Sequence, residues 1–147
     1  MRLFLSRMCG LAAIVAVFYG LTMPTQAQED GFVSLFNGKD LSGWQYGKGG
    51  KAEILDGKTE TSDKRFQVVG GVIVANEGKG IKDLWTVKQF DGNFQLKLEF
   101  RAALKADSGV YVRGPQLQVR DYTRRKERNL KKFKDDDWNE LDITVTG

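Results

Sequence analysis

Residues 93–101 (NFQLKLEFR) alternate strictly between apolar and polar side chains. Phe94, Leu96, Leu98 and Phe100 fall on one side of an extended chain, and Gln95, Lys97, Glu99 and Arg101 on the other. Successive side chains of a strand point to opposite faces, so this period of two predicts a half-buried β-strand. No stretch of helical period competes with it. Residues 32–36, 66–69, 72–75, 84–87, 110–113, 117–120 and 141–146 read as further short strands, each bounded by Gly, Asp, Asn or Ser. Gly70-Gly71 between two Val-rich runs is a tight hairpin signal. With 17 Gly and only 2 Pro in 147 residues, the expected class is all-β, an antiparallel sandwich or barrel.

Two segments resist this pattern. Residues 46–65 are rich in Gly, Lys, Asp and Thr and read as a long exposed loop. Residues 120–134 carry eight basic and two acidic side chains and run into Asp135-Asp136-Asp137. Adjacent charges of opposite sign partly neutralise each other, which reads as a solvated connection rather than a polyanion surface. Nucleic acid is therefore not an expected partner.

The N-terminus has the layout of a secretory signal peptide. Arg2 and Arg7 precede an apolar stretch, residues 10–21, and Pro24 precedes the small-residue site Thr25-Gln26-Ala27. Twelve apolar residues span about 18 Å as a helix, against about 30 Å for a hydrocarbon core, so no stable membrane anchor is expected. The expected division is residues 1–27 as leader and 28–147 as domain, with the product secreted or periplasmic. Cys9 falls within the leader. The exported domain would then hold no disulfide and would depend on its hydrophobic core. Loss of Arg2 and Arg7 takes the 23 basic side chains to 21 against 19 acidic ones, so net charge says little about partners.

With no His and a single Cys, a Ser-His-Asp triad, a Cys-His pair, a His-ligated metal and a four-cysteine zinc site are all excluded. Chemistry falls to carboxylates, Lys, Arg, Tyr, amides or backbone. No metal ligand set and no cofactor is expected, because no Asp-rich loop has calcium spacing.

The opening GFVSLFNGKDLSGW (residues 31–44) combines with LKLEFR (96–101), DSGVYVRG (107–114), LQVRD (117–121) and DWNELDITVTG (137–147). Together, in this order, these blocks resemble the 3-keto-disaccharide hydrolase domain family of secreted concanavalin A-like jelly rolls. The resemblance implies a jelly-roll β-sandwich acting on carbohydrate. Three departures stand out. Gln116 replaces the glutamate that opens the family's Glu-x-Gln-x-x-Asp strand, the connection from Asp121 to Trp138 is short and basic, and relatives continue beyond the position of Gly147. The expectation from the last is a jelly roll incomplete at its C-terminus.

The family cleaves sugars already oxidised at C3. A 3-keto group acidifies the C2 proton, a carboxylate removes it, the enolate expels the C1 substituent, and water adds afterwards. Such a site needs a base, a donor for the enolate oxygen and a platform for the ring. The resemblance assigns Glu99 as base and Arg113 as enolate donor, with Arg101, Gln118 and Asp121 positioning hydroxyls; among Trp44, Trp85 and Trp138, for which core packing is the competing account, Trp85 is the expected exposed platform. Glu99 and Arg101 share one face of their strand, about 7 Å apart. On composition alone, an ion-paired polar sheet face is the competing account of both. Three readings therefore stand: a glycosidase-like enzyme for oxidised glycosides, a non-catalytic carbohydrate-binding module, and an inactive fragment. The sequence leaves the oligomeric state open.

The leader assignment makes a direct prediction. N-terminal sequencing of exported material should give a chain beginning near Gln28, and intact Met1 in the membrane fraction would exclude that processing.

Overall fold

The computed structural model describes residues 31–147 except 79, 81, 125, 127–129 and 131, together with the strand Arg2–Leu5, of which only the backbone is considered. Ten strands follow in order: β1 (Arg2–Leu5), β2 (Trp44–Tyr46), β3 (Glu53–Ile54), β4 (Phe66–Val69), β5 (Val72–Ala75), β6 (Leu84–Thr86), β7 (Phe94–Ala102), β8 (Asp107–Tyr111), β9 (Gln116–Arg120) and β10 (Trp138–Val145). Among the described residues there is no α-helix, only the 3-10 turn Gly49–Lys51 between β2 and β3. The fold is all-β, a jelly-roll-type sandwich.

Three sheets make two layers. The large sheet has the order β10-β7-β1-β5-β4; a second has β3-β2-β6, and a third pairs β8 with β9. Ile73 of β5 packs with Trp44 and Tyr46 of β2, while Leu98 and Phe100 of β7 pack with Val119 of β9. Ile73 and Ala75, two residues apart on one face of β5, join different clusters, so both small sheets cover the same face of the large one. Phe66 of β4 touches both clusters.

The alternation in β7 is realised residue by residue: Leu98, Phe100 and Ala102 are buried, while Gln95 and Lys97 are exposed. The β4–β5 hairpin turns at Gly70 and Gly71, both at positive φ (58° and 76°), with Val69 opposite Val72. That two-residue turn with left-handed conformation at both positions is the form that suits the twist of paired strands, and glycine adopts it without steric cost.

Residues 32–36 differ from the sequence expectation, because they form no strand. Their polar groups are used by side chains instead: Ser34 Oγ donates to the Phe36 carbonyl at 2.6 Å, and Trp44 Nε1 donates to the Leu35 carbonyl at 2.8 Å. Trp44 thus folds back over the opening segment and is buried. The 46–65 segment is also more ordered than a loop of its composition implies. It contains β3, and Leu55 and Thr61 within it are fully buried.

What organises that segment is one carboxylate. Asp63 accepts hydrogen bonds from the Tyr46 hydroxyl (2.7 Å), the Thr61 hydroxyl (2.9 Å) and the Arg65 N–H (3.0 Å). Burial pushes its pKa up, but these donors outweigh burial and hold it below its ordinary 3.8. Burial, aided by the Asp63 hydrogen bond, raises the Tyr46 phenol above 10.0. A depressed carboxylate contributes stability that is fully present above its unfolded pKa and lost as pH falls through the folded value. The raised phenol works in the other sense, its contribution being lost as pH rises above 10.0 through the folded value. Melts should therefore show an acid limb below about 3.8 that is shallower in Asp63→Ala. That variant should also lose about 1 to 3 kcal/mol near neutral pH, since it leaves the Tyr46 hydroxyl without its acceptor.

Candidate functional site

The polar face of the β7–β10 ladder follows from register. The pairing sets Trp138 against Arg101, Glu140 against Glu99, Asp142 against Lys97 and Thr144 against Gln95. Leu141 and Ile143 lie opposite Leu98 and Leu96 and turn with them toward the core. Residues directly opposite in an antiparallel pair hold their Cβ atoms about 4.5 to 5.5 Å apart, so Glu99 and Glu140 present two carboxylates side by side. Like charges so placed cost stability rather than add to it. Neighbouring charges are engaged: Gln95 Nε2 donates to Asp142 Oδ1 at 2.6 Å, and Arg101 Nε donates to Asp136 Oδ1 at 3.0 Å. Lys97 Nζ lies 4.7 Å from the centre of the Phe32 ring. Glu99 is half-buried, whereas Glu140 is exposed and has no hydrogen-bond or ion-pair partner among the described residues.

A cavity of about 1870 Å³ borders this face. Lys97, Glu99, Glu140 and Asp142 line it from the large sheet, Trp85 and Tyr111 from the small sheets, and Arg113 from the turn after β8. Leu98 and Phe100 occupy the face of β7 covered by β9, which turns Glu99 to the opposite face. Glu99 and Arg113 thus meet the cavity from different sides of β7.

The residue matches are consequently divided. Glu99 and Arg101 do share a face, but Arg101 is paired with Asp136 and lies outside the cavity lining. Arg113 sits at φ 49° in the turn after β8. Its guanidinium donates to the carbonyls of Gly147 (2.6 Å), Asp91 (2.5 Å), Phe90 (3.3 Å) and Gly92, so it ties two segments together. Gln118 donates to Gln116 Oε1 and accepts from Arg120 Nη1, both at 3.1 Å, in a side-chain row along β9. Asp121 is 7% exposed and accepts the N–H groups of Lys105 (2.8 Å) and Arg124 (3.0 Å). A carboxylate closing a strand end on two N–H donors has a turn-fixing role, and neither Gln118 nor Asp121 borders the cavity.

The family model of the 3-keto-alpha-glucoside-1,2-lyase-like domain matches residues 31–147. The chain belongs to this family. No curated protein and no solved structure matches it.

In this 3-keto-alpha-glucoside-1,2-lyase-like domain, Trp85 is a lining residue that the sequence singled out, whereas Tyr111 and Glu140 are lining residues that sequence reasoning missed. Trp85 is stacked on Tyr111 (6.2 Å between centroids, 27° between planes), and Lys48 Nζ lies 3.4 Å from the Trp85 ring centre. Tyr111, 47% exposed, is the more open ring of the pair. Alternation in DSGVYVRG carries that signal, since Val110 packs toward the core and Tyr111 must point the other way. Glu140 is outward by the same alternation in WNELDITV, but its position opposite Glu99 needs the β7–β10 register. Among the described residues no group of three or more His, Cys, Asp or Glu is arranged to hold a metal ion.

The hydrogen bonds of Arg113 make its role testable. Arg113→Ala should lower stability by about 1 kcal/mol, an exposed charge-assisted cluster being worth less than a buried one. Amide exchange at residues 91–93 should accelerate. A loss of rate of about 10²- to 10³-fold with exchange unchanged would instead make it an oxyanion donor.

Proposed function

We propose that this domain cleaves 3-keto-glycosides by elimination and hydration, with the opposed pair Glu99 and Glu140 as its proton-transfer groups. The observation that carries the reading is their cross-strand placement at the wall of the cavity. It is supported by membership of the family, which brings the substrate class. Glu99 as carboxylate takes the proton from C2. The C2–H electron pair forms the enolate, the C1–O bond breaks, and Glu140 as carboxylic acid gives its proton to the departing oxygen. Water then adds its oxygen to C1 and its proton to Glu140, while Glu99 returns its proton to C2. Both residues end as they began. Lys97, two residues from Glu99 on the same face, is the cation on this wall for the enolate oxygen at C3.

A second reading has its own observation. The Trp85–Tyr111 stack with Lys48 beside it is a ring-binding surface that needs no carboxylate, and it suits a non-catalytic carbohydrate-binding module. Either way we propose that the leader-like N-terminal segment sends the domain out of the cytoplasm, to be secreted or periplasmic.

Turnover of a 3-keto-glycoside should fall by about 10²- to 10⁴-fold in each of Glu99→Gln and Glu140→Gln, each removing a proton-transfer group. Glu140→Gln should melt within about 0.5 kcal/mol of the parent, as an exposed substitution does. Full rate in either variant removes that residue from the mechanism. Binding measured by calorimetry, with no product from the parent chain, would assign the domain to the binding reading.

A further inference from the structure

In the large sheet β4 pairs with β5 across a two-residue turn, and β10 pairs with β7 over their whole lengths. β5 and β7 do not pair with each other, and β1 lies between them, parallel to both. Its register is continuous on both sides: Leu3 is level with Ile73 and Phe100, Phe4 with Val74 and Arg101, and Leu5 with Ala75 and Ala102. Arg2 is level with Glu99.

Three observations set this strand apart. It joins two ribbons of two strands each, and a two-stranded ribbon alone is marginal in water. The positions it joins are among the most buried in the molecule, with Ile73, Phe100 and Ala102 at 1%, 3% and 3% exposure. It is also separated from the rest of the described chain by the 25 residues 6–30. Twenty-five residues can reach up to about 80 Å, so chain connectivity does not fix β1 in place. Parallel pairing is slightly weaker per residue than antiparallel. Position is thus set by two rows of backbone donors and acceptors one strand-width from β1 on either side, each about 4.8 Å away.

We propose that the space between β5 and β7 is a strand-acceptor slot for an extended apolar segment, and that Arg2–Leu5 of the same chain is its exchangeable occupant. Recognition is by strand addition, made on two edges at once, with the buried apolar rows of β5 and β7 selecting apolar side chains. Cutting the chain after residue 27 converts a tethered strand into a separate peptide, so processing at that point opens the slot.

The test uses the full chain with a protease site inserted between Ala27 and Gln28. Amide exchange is followed in β5 and β7, with mass spectrometry to confirm loss of the N-terminal peptide. Before cutting, residues 73–75 and 99–102 should be protected. After cutting and removal of the peptide they should exchange at least about tenfold faster, as amides opened by sub-global release do. A synthetic peptide of residues 1–10, supplied at about 1 mM to match the effective concentration of a short tether, should restore protection. The same peptide with Phe4→Pro should not, since proline removes a ladder donor. Should the cut chain precipitate, Phe4→Pro in the uncut chain gives the same information: faster exchange in β5 and β7 with β2 and β6 still protected supports the slot. Unchanged protection after the peptide is gone, or in uncut Phe4→Pro, overturns the proposal. Retained protection with a shift to dimers in sedimentation also overturns it, by making a second copy the occupant.

Discussion

The pairing of β7 with β10 is the constraint on which the remaining structure rests. This nine-residue strand binds β10 along one edge and β1 along the other, and its apolar row supplies Leu98, Phe100 and Ala102 to the cluster beneath β8 and β9. Because the side-chain period of a strand is two, a slip of one residue would exchange that row for Lys97, Glu99 and Arg101. Register and core are therefore one requirement. The same register that buries Leu98 against Leu141 brings Glu99 opposite Glu140, so the chemistry on the polar face is a by-product of the packing on the other.

Much of the strand layout could be read from local chemistry. The β4–β5 hairpin was legible because Gly70-Gly71 permits its turn, and β7 because its alternation admits one register of burial. Residues 32–36 misled because Leu35 and Phe36 pack with Trp44, whose indole N–H donates to the Leu35 carbonyl that a neighbouring strand would have used. The 46–65 segment misled in the other direction. Its polar composition describes its surface, whereas Leu55, Thr61 and the hydrogen bond that Asp63 accepts from Tyr46, 17 residues earlier, order it from within.

The candidate site was less legible, for a related reason. Glu99 could be placed on a polar face from its own strand alone. Its partner Glu140 lies 41 residues away, and only the β7–β10 ladder brings the two level. Arg113 and Asp121 match family positions by residue type, yet one is taken up by backbone carbonyls and the other by backbone N–H groups. Residue identity states which donors and acceptors are present. Their occupation is settled by turns such as those at Lys105 and Arg113, both held at positive φ, which sequence periodicity does not describe.

Phe66 carries a consequence for how the domain holds together. One cluster draws its buried residues from positions 36–73 and the other from 75–119, so each is nearly a unit of its own along the chain. The Phe66 ring belongs to the rim of both and stands edge-on to Tyr46 at 5.8 Å between centroids. Loosening either cluster removes one wall from the seat of that ring and leaves the other in place. A single side chain of β4 thus works as a shared hinge pin between two half-cores, each of which can open as a unit of its own.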